Sequence, residues 1–298
     1  MWSKVKNFFS ISDSIYGVIT TLPGLIALVA LIIYPVFYNI FVSFQKYEFG
    51  SMDKFIGLQN YVSVVTGSDF LIGWRVSGIY SLGTAGLALF VGLILAHALK
   101  RINVARGFFR TLIIIPWAVP AILSGIMWKW IFGKSLGVVN YVLSSLGLIE
   151  SNVGFLSQGA LALTVAIIAT AYIHIPFITI LVHAGLQTIP EDLYESASID
   201  GADEFQKFWY ITLPLNKFQM IFAFIIVWMF SFRTPDVVFS LTGGGPGKAT
   251  YHAGLYLKDE IYHFLDYGQG AAIGVLLALS VIIIVTPVVL YTIRGGRS

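Results

Sequence analysis

The chain has no cysteine in its 298 residues, which excludes disulfides, thiolate zinc sites and iron–sulfur clusters. Charge is scarce as well. Asp, Glu, Lys and Arg together make up 11% of the residues, where a soluble domain typically carries about 25%. Histidine numbers five, scattered and without an H-E-x-x-H pair, so the sequence offers no zinc-hydrolase helix. No group of carboxylates and no His/Ser set gathers at one end of an apolar run, which leaves a membrane-embedded transferase only a remote alternative. A net charge of +3 is too small to point to nucleic acid.

What is abundant is apolar length: 57% of the residues are hydrophobic. The stretches 14–45, 76–99, 111–128, 151–190 and 267–293 contain no Asp, Glu, Lys or Arg. A hydrocarbon core of about 30 Å is crossed by about 20 apolar residues in a helix. The pattern predicts six spans, at Tyr16–Phe44, Ser77–Leu99, Phe108–Phe132, Ala160–Leu186, Pro214–Leu241 and Gln269–Ile293, the fifth interrupted by Arg233 and Asp236. The runs are too long and too continuously apolar for barrel strands. The expected fold is an all-α integral membrane protein, a single domain over 1–298, embedded in a lipid bilayer. The first span is too long for a signal-peptide core and lacks a small-x-small cleavage site.

Orientation follows from Lys and Arg in the short loops. The loop 100–110 holds four basic and no acidic residues. With Lys4, Lys6, Lys207, Lys217, Arg294 and Arg297, that side carries ten basic residues against six on the other. Both termini and the loop 187–213 are therefore expected in the cytoplasm. On the outer side, 54–61 reads as a short interfacial helix, and 136–147 as a small amphipathic segment with glycine at both ends. The run 242–247, ThrGlyGlyGlyProGly, reads as a turn with positions free for positive φ.

The loop 187–213 is polar and acidic between two apolar runs. Pro190 suits a first helical turn, and Glu191 and Asp192 suit the positive end of a helix. Gly201 allows a break, and AlaAspGluPheGlnLysPheTrpTyr (202–210) starts a second short helix before Pro214. The expectation is two short cytoplasmic helices over about 190–210, forming a bracket on the inner face.

This segment resembles a family signature. Permeases of binding-protein-dependent ABC importers carry E-A-A, three residues, G, nine residues, I, any residue, L-P. Here it reads Glu195, Ser196, Ala197, Gly201, Ile211, Leu213 and Pro214, with serine for the first alanine. The stretches 189–195 (IleProGluAspLeuTyrGlu) and 199–202 (IleAspGlyAla) look like the carbohydrate-importer subgroup. The stretches 241–246 (LeuThrGlyGlyGlyPro) and 56–61 (IleGlyLeuGlnAsnTyr) look like its MalF-like members. The resemblance implies a type I ABC importer permease fold and a transport subunit of the prokaryotic inner membrane that imports sugar by alternating access. The implied partners are a MalG-like second permease, two ABC ATPase subunits that bind ATP and Mg, and an extracytoplasmic sugar-binding protein. It also implies that Glu191, Glu195, Ser196, Ala197, Asp200, Gly201, Ala202, Ile211, Leu213 and Pro214 couple to an ATPase, and that the loop Gly243, Gly244, Gly245, Pro246 faces the binding protein.

Two motifs match only by letters. The run 243–250 lacks the first glycine and the Ser/Thr of a phosphate loop, having Thr242 and Ala249 there. GlyLysSerLeuGly (133–137) copies a nucleophile elbow without a sheet to carry it. Candidates for a sugar pathway are aromatic and polar groups at membrane depth: Trp128, Trp130, Tyr172, His174 and Trp228, with the charges Lys129, Arg233 and Asp236. Each has a plainer reading. Lys129 snorkels between two interfacial tryptophans, Arg233 pairs with Asp236 at i,i+3, and His174 makes an interhelical hydrogen bond. If Lys129 and Arg233 do line the route, the cargo is acidic or phosphorylated: a uronic oligosaccharide or glycerol phosphate in place of a neutral glycan. Pro116, Pro120, Pro176 and Pro235 are expected to kink or break their helices. A passive channel is the rival that needs no ATPase partner.

Overall fold

The computed structural model describes residues 13–49, 54–102 and 104–295. Lys4, Lys6 and Arg297, used above for orientation, lie outside them. The described chain is mostly helical. Helix α1 (Gly17–Val42) contains a π-helical turn at Val29–Ile33. Two short strands follow, β1 (Gln45–Lys46) and β2 (Lys54–Phe55), paired antiparallel. Then come α2 (Gln59–Thr66), α3 (Ser68–Arg101), α4 (Arg106–Ile114), α5 (Ala121–Ile131), α6 (Val138–Ser145) and α7 (Gly159–Leu186). The remaining helices are α8 (Glu191–Ile199), α9 (Glu204–Lys207), α10 (Lys217–Arg233), α11 (Asp236–Leu241), α12 (Ala253–Tyr262) and α13 (Tyr267–Gly295).

Four helices, α1, α3, α7 and α13, are long and apolar enough to cross a membrane. Two bent pairs raise the number to as many as six. The span expected at 108–132 is broken at its prolines. Gly107–Ala118 and Ala121–Ile131 meet at 95°. Pro116 enters a 3-10 turn, Val119 turns extended, and Pro120 starts the next helix without an N–H to continue the last one. The fifth run breaks as well: α10 ends at Arg233, and Thr234 is extended ahead of Pro235. Pro176, by contrast, sits inside an uninterrupted α7. The stretch 54–61 is strand β2, a turn and the first residues of α2 rather than one helix.

The described residues form two compact units: the N-terminal part to Val64 with Glu260–Val275, and Val65–Asp259 with Leu276 onward. In the first, Gly57 takes a φ of 62°. Asn60 Nδ2 donates to the carbonyls of Ser43 and Gln45 at 2.9 and 2.8 Å, closing the chain after α1. In the second, α3 packs along α7. Its buried line includes Ala85, Ala88, Gly92, Ala96 and Leu99. Ala88, Gly92 and Ala96 recur every four residues, so small side chains let the two backbones approach. Lipid-embedded helices associate by such contact, since burial from water no longer drives them together. Polar groups add to the seam: the Tyr80 and Thr170 hydroxyls lie 2.6 Å apart, and His183 Nδ1 is 3.2 Å from the Ala96 carbonyl.

The segment around α6 is closed by local bonds. Leu148 N–H reaches the Leu143 carbonyl at 2.9 Å and Gly147, at φ 68°, reaches Ser144 at 3.0 Å, the pairing that ends a helix on a left-handed residue. Asn140 Nδ2 donates to the Gly133 and Val153 carbonyls at 3.1 and 3.0 Å, so the GlyLysSerLeuGly run is a tied loop.

A β-carbon at Gly92 would lie 2.7 Å from Ile178 Cγ2, whereas one at Gly86 meets nothing within 4 Å. Gly92→Val is expected to destabilise the bundle by about 1–3 kcal/mol. Gly86→Ala is expected to leave it unchanged. Thermal unfolding in detergent compares the two.

Candidate functional site: the inner bracket

Helix α8 starts after Pro190, which sits one position ahead of the first helical residue rather than within the turn, with φ −57° and ψ 136°. Glu191 and Asp192 fill the first turn. The helix stops on Gly201, whose φ of 81° favours glycine. Ala202 N–H returns to the Ala197 carbonyl at 2.8 Å and Gly201 N–H to Ser198 at 3.1 Å. This double return is the Schellman arrangement. The spacing of Ala197, Gly201 and Ala202 thus has a mechanical cause: it ends one helix and aims the chain into the next. Asp203 caps α9 in a reciprocal box with Gln206, at 2.7 and 2.9 Å. The second helix is shorter than the sequence suggested. It gives way to a π-helical turn at Phe208–Thr212 that carries Ile211, and then a single turn with Leu213 and Pro214.

The bracket is fastened to the last turn of α3. Lys100 Nζ lies 3.4 Å from Glu191 and 4.1 Å from the centre of the Tyr194 ring. Arg101 pairs with Glu204, and Lys207 Nζ reaches the same carboxylate at 3.2 Å. Tyr194 Oη is 3.0 Å from Thr212 Oγ1, and His97 sits edge-on to Phe208. Single exposed ion pairs contribute at most about 1 kcal/mol each, so attachment rests on the set. Between bracket and bundle lies a cleft of about 620 Å³, walled by His97, Lys100, Arg101, Gln187, Glu195 and Ser198 among others.

Glu191, Glu195, Ser196, Asp200, Gly201 and Pro214 are exposed, and Ala197, Ala202, Ile211 and Leu213 half-buried. Large apolar groups also face outward: Ile199 at 86% exposure and Phe205 at 70% flank Gly201. Lys100, Arg101, Glu204 and Lys207 were legible only as topology charges and helix-end residues. Opposite charges at the C-terminus of one helix and the first turns of two others are the signal that could have joined them.

The candidates at membrane depth come together only in part. Trp128 meets Tyr172 edge-on at 5.7 Å and stacks on Phe132 at 5.8 Å. Its Nε1 is buried without a hydrogen-bond partner among the described residues. Lys129 and Trp130 are exposed. Trp228 stacks on Phe232 and lines a different feature, an apolar groove of about 1040 Å³. Arg233 lies 5.7 Å from the Phe230 ring. It makes no ion pair with Asp236 among the described residues, because the helix ends between them and i,i+3 geometry is lost. His174 makes no hydrogen bond among the described residues; His183 makes the interhelical contact instead.

The loop 242–252 is closed on itself. Gly243, Gly244 and Gly247 take φ of 62°, 95° and 54°. Thr250 Oγ1 donates to Gly245 at 2.8 Å and meets Thr242 Oγ1 at 2.7 Å. Lys248 pairs with Asp69. His252, missed in the sequence, anchors the segment. Its Nδ1 accepts from Gly254 N–H at 2.9 Å and its Nε2 donates to the Ser231 carbonyl at 3.0 Å. Burial pulls its pKa down to about 4, so it stays neutral. Among the described residues no group of acids and histidines could hold a metal ion.

A bundle of apolar helices with two broken members and a polar bracket beneath is the architecture of a membrane permease subunit. Residues 88–294 match the family described as binding-protein-dependent transport system inner membrane component. The chain is 38% identical over 261 residues to the trehalose/maltose transport system permease protein MalF of Thermococcus litoralis, covering 87% of this chain and 88% of that one. It is 34% identical to the sulfoquinovosyl glycerol transport system permease protein SmoG of Agrobacterium fabrum, covering 98% and 94%. A bacterial alginate ABC transporter, solved with an alginate pentasaccharide-bound periplasmic protein, contains a chain of the same fold. The TM-score is 0.76, the identity 20%, and the coverage 100% of this chain and 97% of that one. The chain belongs to the family of inner-membrane components of binding-protein-dependent transport systems. It is a transport subunit of the inner membrane, not an enzyme.

The Lys207 hydrogen bond, aided by Arg101, holds the Glu204 carboxyl below its ordinary value of 4.5. A lowered pKa adds stability above the unfolded value, lost as pH falls through the folded one. Amide exchange in 191–212 is therefore expected to accelerate as pH drops below 4.5, after correction for intrinsic rates. In Glu204→Gln this excess acceleration is expected to shrink.

Proposed function

We propose that this chain is one of two permease subunits of an ATP-driven sugar or oligosaccharide importer, a single permease domain crossing the inner membrane six times with both termini cytoplasmic. Its partners are a MalG-like permease, two ABC ATPase subunits that bind ATP and Mg, and an extracytoplasmic sugar-binding protein. Names of relatives support the cargo class: trehalose/maltose for one and sulfoquinovosyl glycerol for another. The solved alginate transporter holds a saccharide-loaded periplasmic protein.

The observation that carries the coupling role is the outward display of Ile199 and Phe205 around the Gly201 turn. A connection serving only to cover the bundle would turn such groups inward. Exposed apolar groups on a polar bracket mark a surface for a protein partner. Glu191, Glu195, Ser196, Ala197, Asp200, Gly201 and Ala202 form this surface, and Ile211, Leu213 and Pro214 carry its movement into α10. ATP closes the ATPase pair, the bracket follows, the breaks at Pro116–Pro120 and Pro235 act as hinges, and the route opens outward. Gly243, Gly244, Gly245 and Pro246 face the binding protein.

For the route, Trp128 and Tyr172 supply the ring faces that suit the C–H face of a pyranose, with His174, Trp228 and Asp236 as further candidates. Lys129, exposed beside the exposed Trp130, fits interfacial snorkelling, and Arg233 sits against an aromatic ring. Both settings are those of plain membrane anchors, so the two cations carry no argument for an acidic cargo over a neutral one, and the relatives' printed names include both trehalose/maltose and the sulfonate sulfoquinovosyl glycerol.

Purification of the tagged chain from its native membrane is expected to bring down a cassette ATPase. Glu195→Arg and Phe205→Asp are each expected to reduce its recovery at least about tenfold, equal to 1.4 kcal/mol of binding. Full recovery with both variants would contradict the socket assignment.

A further inference from the structure

Lys100 and Arg101, topology charges in the sequence, fasten the bracket to the end of α3. Helix α3 has 34 residues, a length of about 50 Å, well beyond a hydrocarbon core of about 30 Å. Its last turn therefore stands in water, at the level of the bracket. Lys100 is held by Glu191 of α8 and lies over the Tyr194 ring, while Arg101 is held by Glu204 of α9. Lys207 completes the Glu204 cluster. One helix end thus grips both arms of the bracket, on either side of the Gly201 turn. The polarity agrees: cations at the negative end of α3 meet acids in the first turns of α8 and α9.

The covalent path from the bracket into the bundle is soft by comparison. It runs through the π-helical turn Phe208–Thr212 and then bends by 68° into α10. Helix α3, in contrast, is unbroken from Ser68 to Arg101 and packed along α7. We propose that Lys100 and Arg101 are positioning residues that lock the two bracket helices to α3, so that the bracket and this rod move as one body when the ATPases close. This rests on the coupling role proposed above and adds the element that takes up the motion.

The test uses the whole transporter complex and needs no knowledge of the cargo. The chain has no native cysteine, so, with the partner chains made cysteine-free, spin labels at Asp192→Cys on α8 and Ile94→Cys on α3 report a single distance. It is measured without nucleotide and after trapping with ATP and vanadate. The expected result is the same distance in both states for the parent complex. In Arg101→Glu the resting distance is expected to hold while the trapped distribution broadens and shifts, and Arg101→Glu combined with Glu204→Arg restores the parent behaviour. Arg101→Gln serves where the reversed charge prevents assembly, with the same expected shift. A parent distance that changes on trapping overturns the inference, as does a trapped distance unaffected in both Arg101 variants. If no ATPase assembles with the unaltered chain, the coupling role itself falls, and the inference with it.

Discussion

The close approach of α3 to α7 is the constraint on which the rest depends. In lipid, an apolar side chain gains nothing by leaving hydrocarbon for a protein neighbour of equal polarity. Helices must therefore meet through contact and hydrogen bonding. Ala88, Gly92 and Ala96 provide that contact, with Gly92 against Ile178. The Tyr80–Thr170 and His183–Ala96 bonds supply direction. The seam sets where the last turn of α3 projects, and hence where Lys100 and Arg101 meet the bracket.

The bracket itself is governed by one glycine. Gly201 reverses the chain at positive φ, and the returning N–H groups of residues 201 and 202 close α8 without outside help. The turn is therefore self-contained, which leaves Ile199 and Phe205 exposed. The proposed docking surface and the local backbone physics share this origin: the same spacing that ends a helix also displays these two side chains.

Much of this was legible in the sequence, and the failures have identifiable causes. The apolar runs located α1, α3, α7 and α13 because absence of charge over such lengths leaves few other folds. The N-terminal extension of α3 to Ser68 was hidden by Asp69 and Arg75, which are acceptable on a helix that rises out of the membrane. Pro116 and Pro120 announced a break, but not its 95° angle, which depends on Val119 turning extended between them. Pro176 announced a kink or a break, and α7 stays one helix through it. The Arg233–Asp236 pairing failed because a helix end fell between them. Arg101 and Glu204 lie 103 residues apart, and no local pattern connects charges at that distance. Of the sugar-route candidates, Trp128 and Tyr172 meet edge-on, while Trp228 lines a separate groove, since burial periodicity says which face a residue takes but not which neighbour it finds.

The central claim is that the Gly201 bracket lies on the cytoplasmic side and is covered by an ATPase. The absence of native cysteine makes a direct measurement available. A single Ile199→Cys variant can be reacted with a membrane-impermeant maleimide in right-side-out and inside-out vesicles, with and without the ATPase subunits stripped. The account predicts no labelling from outside, and labelling from inside only after the ATPases are removed. Labelling in right-side-out vesicles, or equal labelling from inside with the ATPases in place, would contradict it.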